Sequence, residues 1–205
     1  MYITYFIIAI TCLISFAGFR DHSLIDKLAF WPYRVWRDKE WYRLISHGFI
    51  HVDIGHLFFN MFALYSFGSY MEQSFAMIFP GKGTLIYVLM YFMAIVVSDT
   101  INLFTKRDVY YYRSIGASGG VSAVVFSFIL LNPFGQLGIM FIPIPIPAYM
   151  FGGLYLLYCF IMAKRGTGNV GHLAHFTGSL FGFFFPILLQ PVLFKAFIDQ
   201  VVTRI

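Results

Sequence analysis

A serine set among glycines, Gly116-Ala117-Ser118-Gly119-Gly120, runs directly into the apolar stretch Val121-Ser122-Ala123-Val124-Val125-Phe126. Small residues of this kind serve close helix packing, and they also let a substrate backbone approach a hydroxyl without steric cost. A serine hydroxyl becomes a nucleophile only when an adjacent base takes its proton, and histidine suits that role near neutral pH. Acyl transfer then places negative charge on a carbonyl oxygen, which needs hydrogen-bond donors in a poorly solvated site. Candidates for both roles occur at membrane depth, where ionisable groups are costly and are read as functional by default. His56, His172 and His175 fall in predicted helices, with His47 and His51 just before the second of these helices. His56 and Asn60 are one turn apart and share a face, while His175, Gly178 and Gly182 share another. His56, Asn60 and the Ser118 backbone N–H can donate to an oxyanion. Glu72, Asp99 and Asp108 are the nearest acids by position, but none is an obvious third member, so a serine–histidine dyad is favoured over a triad.

Composition requires these residues to be positioned by membrane helices. Hydrophobic residues make up 60% of the 205 and charged ones 11%, and mean hydropathy is +0.76, far from a soluble domain's balance. The net charge of +5 resides in short connectors, which fits anionic lipid head groups and argues against nucleic acid. Cys12 and Cys159 lie in apolar runs, so no disulfide framework is expected.

The pattern predicts an all-α, six-helix membrane bundle forming a single domain over 1–205. The spans are Tyr2 to Phe19, Gly55 to Phe79, Thr84 to Phe104, Ser118 to Leu131, Ala148 to Ala163 and Val170 to Leu189. Arg20 to Ile54 is a long first connector that holds all three tryptophans, the chemistry of a segment lying in the interface. Phe141 to Pro147 carries proline at every second position and is expected to be extended. The fourth span has only 14 residues before Asn132-Pro133, a rise of about 21 Å. That is about 9 Å short of a hydrocarbon core of roughly 30 Å. With Asn132 at one interface, Ser118 must sit below the other, at the floor of a recess.

Several stretches resemble rhomboid intramembrane proteases. Glu40-Trp41-Tyr42-Arg43, then His47, His51, His56 and Asn60 in HGFIHVDIGHLFFNMF, then Gly68 with Glu72, resemble that family's first loop and second helix. Gly116-Ala117-Ser118-Gly119 is similar to its Gly-x-Ser-Gly motif, and Ala174 to Gly182 to its Ala-His-x-x-Gly-x-x-x-Gly motif. The resemblance implies Ser118 as nucleophile, His175 as base in preference to His172, and His56 and Asn60 as the oxyanion site. It also implies structural roles for Arg43 and Glu72, no metal and no cofactor, transmembrane protein substrates, and residence in a bacterial inner (plasma) membrane.

Two features depart from the family. An aromatic residue commonly stands four positions after the serine to pack on the histidine ring, and Ser122 occupies that position, so another side chain must hold the ring. Lys and Arg number 11 in the connectors after helices one, three and five and 3 in the opposite ones. The positive-inside rule therefore puts the Ser118 mouth in the cytoplasm, whereas the family opens outward. We follow the family, because an interface-embedded first connector escapes that rule. Two other readings are a catalytically inactive rhomboid-like binder of transmembrane clients and a metal or haem protein using His47-x3-His51. The second lacks a His-Glu-x-x-His motif or a thiolate cluster.

Overall fold

Long apolar helices are joined by shorter ones in the computed structural model, which describes residues 3–139, 142–165 and 171–204. Tyr2, Phe141 and residues 166–170, including Val170 at the start of the sixth predicted span, lie outside the described residues. Helix α1 spans Ile3–Arg20 and buries Thr4, Ile7, Thr11, Ser15 and Gly18 along one stripe. Tyr5, Phe6, Leu13 and Phe16 point outward. Small and polar residues inside with large apolar ones outside suit a helix whose outer face meets lipid.

The first connector folds as α2 (His22–Leu28), α3 (Pro32–Arg37), α4 (Arg43–Ser46) and a 3-10 turn over His47–Phe49. Local signals fix these pieces. Asp21 caps α2 by accepting the Ser23 N–H, and Pro32 opens α3 where no amide donor is needed. Arg43, 1% exposed, donates to the carbonyls of Asp26 and Ala29 at 2.8 Å each and pairs with Glu40. A buried guanidinium is tolerated because its donors are used, and it ties α4 to the end of α2.

Helix α5 covers Ile54–Ile78, α6 Gly83–Ser98 and α7 Thr100–Thr105. The expected third span is thus interrupted at Asp99, whose carboxylate accepts from Asn102 Nδ2 at 3.0 Å and faces His47. Helix α8 runs Ser118–Leu131, the bounds read from the sequence, and is buried on nearly every side. An antiparallel hairpin follows, β1 (Gln136–Ile139) pairing with β2 (Ile142–Pro147) with Leu137 opposite Ile146. The extended proline-rich run therefore has a partner strand. Helix α9 (Ala148–Arg165) lies at the periphery, with Ala148, Gly152 and Cys159 as its buried residues. Helix α10 (His172–Leu189) crosses α8, and α11 (Val192–Arg204) follows Pro191 with no residue buried.

The sequence pattern ends at α10, so α11 is an addition. Its Lys195 and Asp199 break the apolar run and pair on the exposed face at 2.6 Å, while Phe197 meets Phe183 of α10 at 5.2 Å. Among the described residues three helices are long and apolar enough to cross a membrane: α1, the α6–α7 unit Gly83–Thr105, and α10, with α8 a shorter apolar helix among them. The main core joins α1, α5, α6 and α8 through Ile7, Leu64, Met71, Tyr87, Met90 and Val124. At the α1–α5 contact, Glu72 accepts the N–H groups of Ile3 and Thr4 at 3.3 and 3.2 Å and the Thr4 hydroxyl at 3.0 Å. A carboxylate on the first amides of a helix satisfies donors that no turn can reach.

Candidate active site

Ser118 is the first residue of α8, half-buried, with Gly119 and Gly120 fully buried beside it. Its depth is set by α8, and its neighbours set its orientation. A Cβ on Gly119 would collide with the Ser98 side chain of α6, and one on Gly120 would lie 2.9 Å from the Tyr91 ring. On α10, a Cβ on Gly178 would lie 2.6 Å from the Gly119 carbonyl oxygen, and one on Gly182 would overlap the Ala123 backbone. The two helices thus meet backbone to backbone over two turns, and the Ser127 hydroxyl donates to the Gly182 carbonyl at 2.6 Å. His175 stands one turn before Gly178 and Ser118 one residue before Gly119, so both occupy the same end of this crossing. Among the described residues no hydrogen bond joins them; catalytic contacts are commonly long without substrate and tighten when it binds.

The loop leading into Ser118 is strapped to the first connector. Gly116 has φ +125°, a conformation for which glycine is suited, and a Cβ there would lie 2.7 Å from the His56 ring. The Gly116 N–H donates to the His47 carbonyl at 2.9 Å, and the Ala117 N–H donates to His51 Nε2 at 3.4 Å. His51 Nδ1 meets the Ser15 hydroxyl at 2.9 Å, and that hydroxyl donates to the Phe49 carbonyl at 2.9 Å. The partners fix one direction of donation: Ala117 to His51, His51 to Ser15, Ser15 to Phe49. His51 must be neutral for this chain to hold, and burial in its loop lowers its pKa to about 3. Sequence reading placed His51 just before the second span, within the motif that resembles the family's first loop and as half of a His47-x3-His51 ligand pair; the role seen here depends on Ser15 of α1 crossing behind it.

Of the four predicted site residues, the structure brings His56 against the Ser118 loop and His175 to the Ser118 end of α10. Asn60 lies one turn along α5 from His56, 6% exposed, and its Nδ2 donates to the His56 carbonyl at 3.0 Å. One of its two amide protons is therefore committed to its own helix. The three acids are engaged elsewhere: Glu72 on α1, Asp99 with Asn102, and Asp108 with Arg37 and Arg107 at 3.7 and 3.2 Å. His47 and His51 turn to different partners, Asp99 and Ser15, and do not converge as a ligand pair.

The side chain on the His175 ring comes from α9. Tyr155 stacks on His175 with ring centroids 6.4 Å apart and planes 18° from parallel, and its hydroxyl contacts the Ser122 hydroxyl and the Cys159 sulfur. Ser122, where the family's aromatic would stand, instead holds the aromatic that replaces it. Gly152, Tyr155 and Cys159 form the one small and polar face of α9, a signal present in the sequence but silent about which helix that face meets. Thr177 donates to the Ser98 carbonyl at 2.8 Å and ties α10 to α6 beside the same glycines.

Fold and site together define a helical membrane protein with a serine at the start of a short, largely buried central helix and histidines of two other helices at the same end of the bundle. The family profile of the Rhomboid domain matches residues 38–192, and the chain belongs to the rhomboid family. It is also similar to the Arabidopsis thaliana protein "RHOMBOID-like protein 12, mitochondrial", 31% identical over 144 residues, or 66% of this chain. That alignment spans 43% of the plant protein's length.

Proposed function

We propose that this chain is an intramembrane serine endopeptidase of six spans in one domain that cleaves transmembrane or membrane-proximal segments of membrane proteins. The observation that carries the reading is the backbone contact between Gly119 and Gly178, which holds the Ser118 end of α8 against the His175 end of α10. His175 takes the Ser118 proton as Oγ attacks the scissile carbonyl, giving a tetrahedral oxyanion. The Ser118 N–H, His56 and Asn60 stabilise that charge, and the amine leaves with the proton His175 held. Water, deprotonated by His175, then releases the acyl group and restores the serine. Tyr155 positions the imidazole throughout.

Substrate access past α9 suits the packing. That helix buries few of its residues, and an apolar cleft of about 240 Å³ lined by Phe126, Gly152, Leu156 and Phe183 opens between it, α8 and α10. A helical substrate must unwind near its end to present an extended backbone at Ser118. The bacterial plasma membrane follows from the resemblance to the six-helix form, while the plant relative's name carries a mitochondrial designation; fractionation of source cells decides between them.

Fluorophosphonate labelling of the purified protein followed by peptide mapping tests the dyad without a known substrate. The expected result is label on Ser118 that disappears in His175→Ala. The second reading, an inactive binder of transmembrane clients, draws on the missing Ser118–His175 hydrogen bond and the committed Asn60 amide. It predicts no label on Ser118 at all.

A further inference from the structure

One cluster shares only His175 with the proposed hydrolysis and adds two side chains that the hydrolysis does not use. Cys159 of α9 and His172 and His175 of α10 offer three ligand atoms that all lie within 4.8 Å of one another. His172 and His175 are one turn apart on the same helix, with rings 6.3 Å apart and nearly perpendicular. Zinc takes thiolate at about 2.3 Å and imidazole at about 2.0 Å in a tetrahedron, which sets ligand separations of roughly 3.3–3.8 Å. Closing from 4.8 Å requires only side-chain rotation of about an ångström.

Two further observations favour a ligand. Among the described residues His172 Nδ1 is buried without a hydrogen-bond partner, a condition that costs free energy in a protein interior. The Tyr155 hydroxyl reaches the Cys159 sulfur, as an outer-sphere donor supporting a thiolate would. Two neutral imidazoles and a thiolate form a soft, borderline donor set suited to Zn2+ and unsuited to Mg2+ or Ca2+.

We propose that Cys159, His172 and His175 form an inhibitory site for a thiophilic divalent cation, for which Zn2+ and Co2+ are the probes. The binding half stands on the cluster alone; the inhibitory half rests on His175 being the base. A bound ion accepts the imidazole lone pair or replaces its ring proton, and in either case His175 no longer takes the Ser118 proton. The same ion joins α9 to α10 and closes the access route beside Tyr155. Binding releases the Cys159 proton to solvent, so affinity rises with pH while the free thiol is protonated. His175 is partly exposed and gives the ion its path in.

The full chain in detergent is titrated with Co2+, reading sulfur-to-cobalt charge-transfer absorption, and cleavage of a reporter transmembrane helix is measured with and without Zn2+. The expected result is one equivalent of Co2+ with the charge-transfer band, displaced by Zn2+ and lost in Cys159→Ser. His172→Ala should weaken binding by more than the roughly 10–100-fold that loss of an outer-sphere partner causes. The ratio of cleavage with Zn2+ to cleavage without it should fall below about one tenth in the wild type and return to near one in Cys159→Ser. Absence of the band, or a band that survives Cys159→Ser, overturns the site. A Zn2+-loaded wild type that cleaves at its metal-free rate overturns the inhibition. A wild type that cleaves nothing without metal refutes the protease reading instead, and the spectra still decide the site.

Discussion

Two side chains near Ser118 act on its neighbours rather than on Ser118 itself. Tyr155 holds the His175 ring by stacking, an interaction worth about 0.5–1.5 kcal/mol beyond its buried area. Its loss should slow turnover roughly 2–10-fold, since about 1.4 kcal/mol is tenfold in rate. Tyr155→Phe keeps the stack and loses only the hydroxyl, so reporter cleavage should drop in Tyr155→Ala and stay closer to wild type in Tyr155→Phe. Equal loss in both would assign the effect to the hydroxyl's contacts with Ser122 and Cys159. His51 gives a pH dependence of known sign. Its pKa is about 3 in the fold against about 6.5 unfolded, so protonation favours the unfolded chain. The stability held by neutral His51 is complete above about pH 6.5 and drains away as pH falls from there toward 3. Asp53, which favours the charged ring, and His56, which opposes it, are the groups that act on it. Unfolding midpoints in detergent should therefore decline below about pH 6.5, with a shallower decline in His51→Gln. These roles escaped the sequence for a physical reason: Tyr155 and His51 each act on a residue of another helix, and spacing along one helix does not say which neighbour it faces. Ser118, His56 and His175 stood out as candidates because an ionisable or nucleophilic group within an apolar run is conspicuous by its cost alone.

The pairing of α8 with α10 decides whether the site exists. Both helices were readable in extent, and α8 was legible to the residue, because glycine opens it and Asn132-Pro133 closes it. Their contact was readable only as a possibility, since Gly178 and Gly182 could have met any neighbour. The structure makes that contact a clash-limited one: a methyl at Gly182 would overlap the Ala123 backbone, which cannot yield as a flexible side chain would. Gly182→Ala should destabilise the protein by about 1–3 kcal/mol, the usual cost of overpacking a tight interior. Fluorophosphonate labelling of Ser118 should fall in the same variant as His175 is displaced. Gly153→Ala on α9 is the matched control, because a Cβ there meets nothing within 4 Å. A labelling loss equal in both variants would detach the chemistry from the α8–α10 crossing. Helix α11 and the break at Asp99 were invisible for different reasons: charged Lys195 and Asp199 mask the first in a hydropathy profile, and the second is a short polar step, Ser98-Asp99-Thr100, inside a segment whose average still reads as one apolar span.

Orientation in the membrane is a property of the whole chain, and the charge count and the family resemblance assign it opposite signs. The excess of Lys and Arg in the connectors after the first, third and fifth spans directs the Ser118 mouth to the cytoplasm under the positive-inside rule. That rule counts charges free to interact with the translocation machinery and the lipid surface. Several here are spent within the fold: Arg43 is buried on carbonyls, while Arg34 and Arg113 lie over the Trp31 ring at 4.5 and 3.9 Å. Arg113 also pairs with Asp26 at 2.8 Å, and Arg37 with Asp108. Setting these four aside narrows the count from 11 against 3 to 7 against 3 without reversing it, and the outward mouth expected here rests on the resemblance to the family. Tyr111, 84% exposed in the loop before Ser118, reports the answer. In a background with Cys12 and Cys159 replaced, Tyr111→Cys should react with a membrane-impermeant maleimide on intact cells, and a cysteine at Lys82 only after permeabilisation. The reverse pattern would return the decision to the charge count and put the site on the cytoplasmic side, where substrates would have to expose their cleavable segment to that face.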